Sequence, residues 1–188
     1  MFLLFLCAGQ DALATYCTNN ITLTRQSQVD SFPILYPDCD SITQLVIEGL
    51  DIVNLDSLGL IKSISYFSIN QTGLTNLKGL SNLKSVKSMF YITGNKELVS
   101  LSGLESLSYV QNIRISSNDK ILTLKDLSML SIPGNITISG NHKLKSVDFS
   151  LRNDTVRSIT IYNNLQMENL DSLRNIKHVY FSVDVSNS

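Results

Sequence analysis

The sequence has no tryptophan, three prolines, two histidines and three cysteines, and only 16% of its 188 residues are charged. Each scarcity removes a class of protein. Fifteen basic residues stand against 16 acidic ones with no lysine or arginine run, so nothing tracks a phosphate backbone or an anionic membrane, and nucleic acid is not an expected partner. Charge this sparse, set among abundant Leu, Ser and Asn, argues against solvated helix faces and for apolar ladders alternating with uncharged turns. No apolar run reaches the roughly 20 residues that a membrane-spanning helix needs, so no span is expected. Cysteine and histidine are too few and too scattered for a zinc set, His142 and His178 being far apart, and no metal or cofactor is expected.

The chain opens MFLLFLCAGQDALA, an apolar run followed by small residues, with Ala12-Leu13-Ala14 fitting a small-x-small cleavage signal. Residues 1–14 thus read as a secretory signal peptide, although no lysine or arginine follows Met1. Cys7 lies inside it. Cys17 and Cys39 remain, an even pair that reads as one disulfide; closing that loop is worth roughly 3 kcal/mol on a chain-entropy estimate. Residues 15–40, which carry the strand-like phrase Ile21-Thr22-Leu23, are the expected N-terminal cap.

What is present in quantity is a repeat. A phrase of the form apolar-x-Ile, two polar residues and Asn recurs, followed by apolar residues at every third position. In the clearest copy Phe90 and Ile92 alternate around Tyr91, Asn95 follows, and Leu98, Leu101, Leu104, Leu107 and Val110 come at intervals of three. The central strand residues run Ile47, Ile69, Ile92, Ile115, Ile138, Ile161 and Val183, at steps of 22, 23, 23, 23, 23 and 22. A period of three is neither the 3.6 of an amphipathic helix nor the 2 of a strand, so the segment after each strand must turn corners around a narrow core. The prediction is a mainly β fold, a parallel β-solenoid of 22–23-residue coils over residues 41–188, with seven strands. No capping sequence follows the last strand phrase, and the array is expected to be truncated there.

Asn95, Asn118, Asn141 and Asn164 fall at one place in successive coils, where Leu50 and Thr72 stand in the earlier two. They read as a structural ladder that bonds the backbone of the turns. Gly49, Gly94 and Gly140, just before that place, fit a bend with unusual backbone angles.

The phrases CTNNITLTRQSQVDSF, SITQLVIEGLDIVNLDSL and FYITGNKELVSLSGLESLSYV resemble those of the receptor L-domain family, across residues 15–188. A 22-residue type of leucine-rich repeat ranks second. The resemblance implies a right-handed parallel β-solenoid and an extracellular or cell-surface domain whose activity is binding, as in growth-factor receptor ectodomains and in fungal or bacterial surface proteins. The receptors' cysteine-rich modules and kinase are not in this chain.

Alternation along the strands places Tyr66, Met89, Tyr91, Arg114, Tyr162 and Tyr180 on the outward face of the sheet. These residue types supply large contact area with a polar handle, so they are the candidate binding face for a protein or glycan partner. Four sequons, at Asn20, Asn70, Asn135 and Asn153, would carry glycans in a eukaryotic secretory pathway. Those at Asn70 and Asn135 are expected on the face that holds the tyrosines.

Polysaccharide-active β-helices need converging carboxylates for acid and base work. Glu48 and Asp184 are expected at opposite ends of the array, and Glu168 with Asp171, and Asp119 with Asp126, read as turn charges. No enzyme is expected. The rival to a binding domain is a structural component of a cell wall or matrix.

Overall fold

The computed structural model describes residues 16–127 and 129–186, with the side chains of residues 16–19 and 172 left outside the description. The predicted signal peptide falls outside the described residues, as does the Cys17 side chain on which the predicted bridge depends. The rest is mainly β: one open sheet of eight parallel strands whose spatial order is their order in the chain. The strands are β1 (Tyr16–Leu23), β2 (Ser41–Gly49), β3 (Ser63–Thr72), β4 (Ser85–Thr93), β5 (Tyr109–Ser116), β6 (Asn135–Ser139), β7 (Thr155–Tyr162) and β8 (His178–Ser186). Helix is confined to α1 (Gln26–Asp30), α2 (Phe32–Leu35) and single 3-10 turns in the segments that return the chain to the next strand.

Parallel neighbours joined in sequence put residues about one repeat apart side by side. Leu23, Ile47, Ile69, Ile92, Ile115, Ile138 and Ile161 are successive partners along one inward row. A second inward row runs through Leu45, Phe67, Phe90, Ile113, Ile136 and Ile159, and in it Phe67 and Phe90 lie parallel with centroids 4.9 Å apart. The every-third leucines of the return segments, Leu98, Leu101, Leu104 and Leu107 among them, are buried against these rows. Each such side chain is worth about 1.5–3 kcal/mol when fully buried, and most of its cover comes from the repeats on either side.

The structure corrects three expectations. The strand-like phrase Ile21-Thr22-Leu23 is part of the sheet, Ile21 pairing with Leu45 and Leu23 with Ile47, so the sheet has eight strands, not seven. The two short helices that follow bury Val29 and Phe32 at that end of the core. At the other end Val183 pairs with Ile159, and Val185 takes the predicted place beside Ile161, because β8 carries an irregularity between Val179 and Ser182. Leu50 is exposed and off the asparagine ladder, since a register shift sets Gly49 opposite Thr72.

The backbones of successive repeats also touch. A Cβ on Gly79 would lie 1.8 Å from the Leu55 carbonyl oxygen, and one on Gly103 would lie 2.0 Å from that of Leu77. Only glycine fits such an approach.

Candidate functional site

Strand alternation turns every second residue outward, and the pairing lines those residues into rows. One row runs Gln44, Tyr66, Met89, Asn112, Asn135 and Ser158. The next runs Val46, Ser68, Tyr91, Arg114, Thr137 and Thr160. A third includes Glu48, Asn70, Thr93, Ser116, Ser139 and Tyr162.

Four of the six predicted face residues meet on β3, β4 and β5. Tyr66 pairs with Met89, Tyr91 with Arg114, and the Tyr66 and Tyr91 rings sit 5.6 Å apart at 54°. That tilted geometry suits the ring quadrupoles. The two tyrosines and Met89 are half-buried by one another and their neighbours, while Arg114 is exposed. The face therefore presents aromatic surface with phenol groups and, one strand over, a guanidinium. Tyr162 is on the same face but on β7, away from this group, in the third row. Tyr180 falls within the β8 irregularity and follows no row; beside it the Arg157 guanidinium stacks 4.6 Å above the Phe181 ring.

Toward β6 the first row is tied together by its own polar groups. Asn112 donates its amide to the Ser88 carbonyl and accepts from the backbone N–H of Asn135, whose side-chain oxygen accepts from the Ser158 hydroxyl. Asn70 and Asn135 lie on the outward face with the tyrosines, and Asn20 is exposed on β1. Asn153 differs: in a return segment, it accepts from the Ile132 N–H at 2.8 Å and donates its amide to the carbonyls of Ile132 and Thr155.

The asparagine ladder is closed and buried. Asn95, Asn118 and Asn141 each donate their amide to the side-chain oxygen of the next member, to the carbonyl two residues back, and to a strand carbonyl of the preceding repeat. Asn164 makes the same two carbonyl bonds, and Thr72 starts the ladder by donating its N–H and hydroxyl to Asn95. The residue before each rung has positive φ: Gln71, Gly94, Ser117, Gly140 and Asn163, at 50°, 70°, 59°, 64° and 55°. The glycines marked this bend in the sequence. Their 23-residue spacing was the signal that could have found the other three.

The carboxylates named from the sequence do not converge. Glu48 pairs with Asn70 near the N-terminal side, and Asp184 lies on β8. Asp119 bridges Lys96 at 2.6 Å and lies 3.2 Å from the His142 Nδ1, whereas Asp126 accepts from the Leu101 N–H at 3.1 Å. Burial, with the Glu105 and Asp148 carboxylates nearby, pushes Asp126 above the usual carboxylate range, against the pull of the Leu101 bond and of Lys125. Lys177 donates to Asp154 and holds that carboxyl below its ordinary value. Set beside family models, curated proteins and solved structures, the chain has no significant match in any of the three.

Proposed function

We propose that the protein is an extracellular or cell-surface binding domain, a right-handed solenoid of the receptor L-domain kind, and that it engages a protein or glycan through the outward face of its sheet. The observation that carries the reading is the Tyr66–Tyr91 ring pair with Met89 and Arg114 beside it, near the middle of a continuous face. Tyrosine and arginine are enriched among the residues that carry binding energy at recognition surfaces, where they combine large contact area with a polar end. Neighbouring Asn70 and Asn135 would, if glycosylated, narrow access and direct a partner to Tyr91 and Arg114. The bridge proposed between Cys17 and Cys39 belongs to this extracellular reading.

Pull-down from a surface extract of the source organism tests it. A discrete partner lost on combining Tyr91→Ala with Arg114→Ala supports recognition; a partner retained at full yield by that variant contradicts it. The rival, a wall or matrix component, draws on β8, whose Val183 and Val185 are exposed. Incorporation into an insoluble matrix, with no discrete partner, would favour that rival.

A further inference from the structure

Where the last two return segments re-enter the sheet, just before β7 and β8, they border an open cleft of about 620 Å³ lined by Leu151, Arg152, Asn153, Asp154, Arg174, Asn175 and Lys177. The charge there is one-sided: three cations stand against one carboxylate. That carboxylate is already taken, because Lys177 bridges Asp154 at 3.1 Å and the Lys177 N–H donates to the Asp154 carbonyl at 2.7 Å. An equivalent rung at the other end of the array, Lys62 to Asp40 at 3.1 Å with a backbone bond of 2.7 Å, shows that this pair belongs to the stacking of repeats. The amide of Asn153 is likewise spent on the backbone.

What remains are two guanidiniums. Neither Arg152 nor Arg174 has a salt-bridge partner among the described residues. Arg152 is held by its backbone, whose N–H donates to the Leu130 carbonyl at 3.0 Å, and Arg174 stands in the 3-10 turn Asp171–Asn175 on the opposing segment. Arg174 also borders a smaller neighbouring hollow with Asp171 and Asp148, but Asp148 is bonded to Thr123 and to the Leu124 N–H. Two planar donor forks lining one recess suit the oxygens of a carboxylate, sulfate or phosphate, which guanidinium binds in pairs of parallel hydrogen bonds.

We infer that the cleft between Arg152 and Arg174 is an oxyanion-binding site, separate from the sheet face and standing whether or not that face binds a partner. The oxyanion is either a small free ion or an acidic group borne on a glycan, and the two sources can be told apart.

Amide chemical shifts of the folded protein should be followed during titration with inorganic sulfate, inorganic phosphate and a uronic-acid disaccharide, each at ionic strength held constant with sodium chloride. Saturable shifts centred on residues 151–154 and 174–177 are expected, and Arg174→Gln or Arg152→Gln should each weaken them about tenfold. Lys143→Gln, an exposed charge elsewhere, should not. Tighter binding of the disaccharide identifies a glycan-borne group, and tighter binding of sulfate or phosphate identifies a free ion. Absence of saturable shifts with all three, or equal affinity in the double arginine variant with its spectrum otherwise intact, overturns the inference.

Discussion

Asn118 receives two hydrogen bonds from Asn95, one from its backbone N–H at 3.0 Å and one from its side-chain amide at 3.1 Å, and gives the same pair to Asn141 at 3.1 and 3.2 Å. Each rung therefore satisfies groups in three repeats. Replacing Asn118 by Ala strands the Asn95 N–H and removes the donor from the Ile92 and Ser116 carbonyls. Because each buried orphan costs about 1–3 kcal/mol, the loss should be about 3–5 kcal/mol by urea unfolding. Thr72→Val, at the end of the ladder, should cost less, about 1–2 kcal/mol.

The bend before each rung is left-handed whatever the residue. Ser117→Gly removes a side chain from φ 59° and should raise stability by about 0.5–1 kcal/mol, with Gly140→Ala, at φ 64°, lowering it by a similar amount. Thermal unfolding of the two variants would show shifts of opposite sign.

Two glycines that look alike in sequence should respond in opposite ways. Gly79→Ala sets a methyl 1.8 Å from the Leu55 carbonyl and should cost about 3 kcal/mol or more, since one repeat must move off the next. Gly59 has φ −61° and nothing nearer than 3.8 Å, so Gly59→Ala should be neutral or stabilising by up to about 1 kcal/mol. Chemical denaturation of both variants separates a glycine needed for approach from one that is not.

Asp126 should make stability fall as pH rises. Its folded-state pKa lies above the ordinary 3.8, so between those values the unfolded chain releases a proton that the folded chain retains, and above both the full cost applies. Asp126→Asn keeps an oxygen for the Leu101 N–H without the charge. The variant should be more stable than the parent at neutral pH, and the difference should shrink as pH falls through the raised folded-state value toward 3.8, below which it is gone. A variant less stable than the parent at neutral pH would contradict this.

The repeat was legible because the inward rows are nearly pure in apolar residues, and a step of 23 leaves a single alignment for Ile69 to Ile161 that buries them all. Where sequence reading failed, more than one register satisfied the same pattern. In Phe181-Ser182-Val183-Asp184-Val185 a slip of two keeps the valines on the same face of the strand, so periodicity could not choose between Val183 and Val185. Leu50 was misplaced because the shift at Gly49 changes the count without changing the composition. Of the candidate face, Tyr66, Met89, Tyr91 and Arg114 lay on regular strands and came out together, whereas Tyr180 depended on a strand whose irregularity left no mark in the sequence. The Arg152–Arg174 cleft arises between return segments, where residue period says nothing about which side chains face one another.

The central claim is that the chain comes back to the same strand position in the same direction every 22–23 residues, so that its outward residues form rows. Interstrand amide and Hα nuclear Overhauser contacts around Ile92, Ile115 and Ile138 measure this directly. The account predicts contacts linking each of these to its partner 23 residues away, with the same offset one and two residues further along. Contacts whose residue numbers rise on one strand while they fall on its neighbour would mean antiparallel pairing and would contradict it.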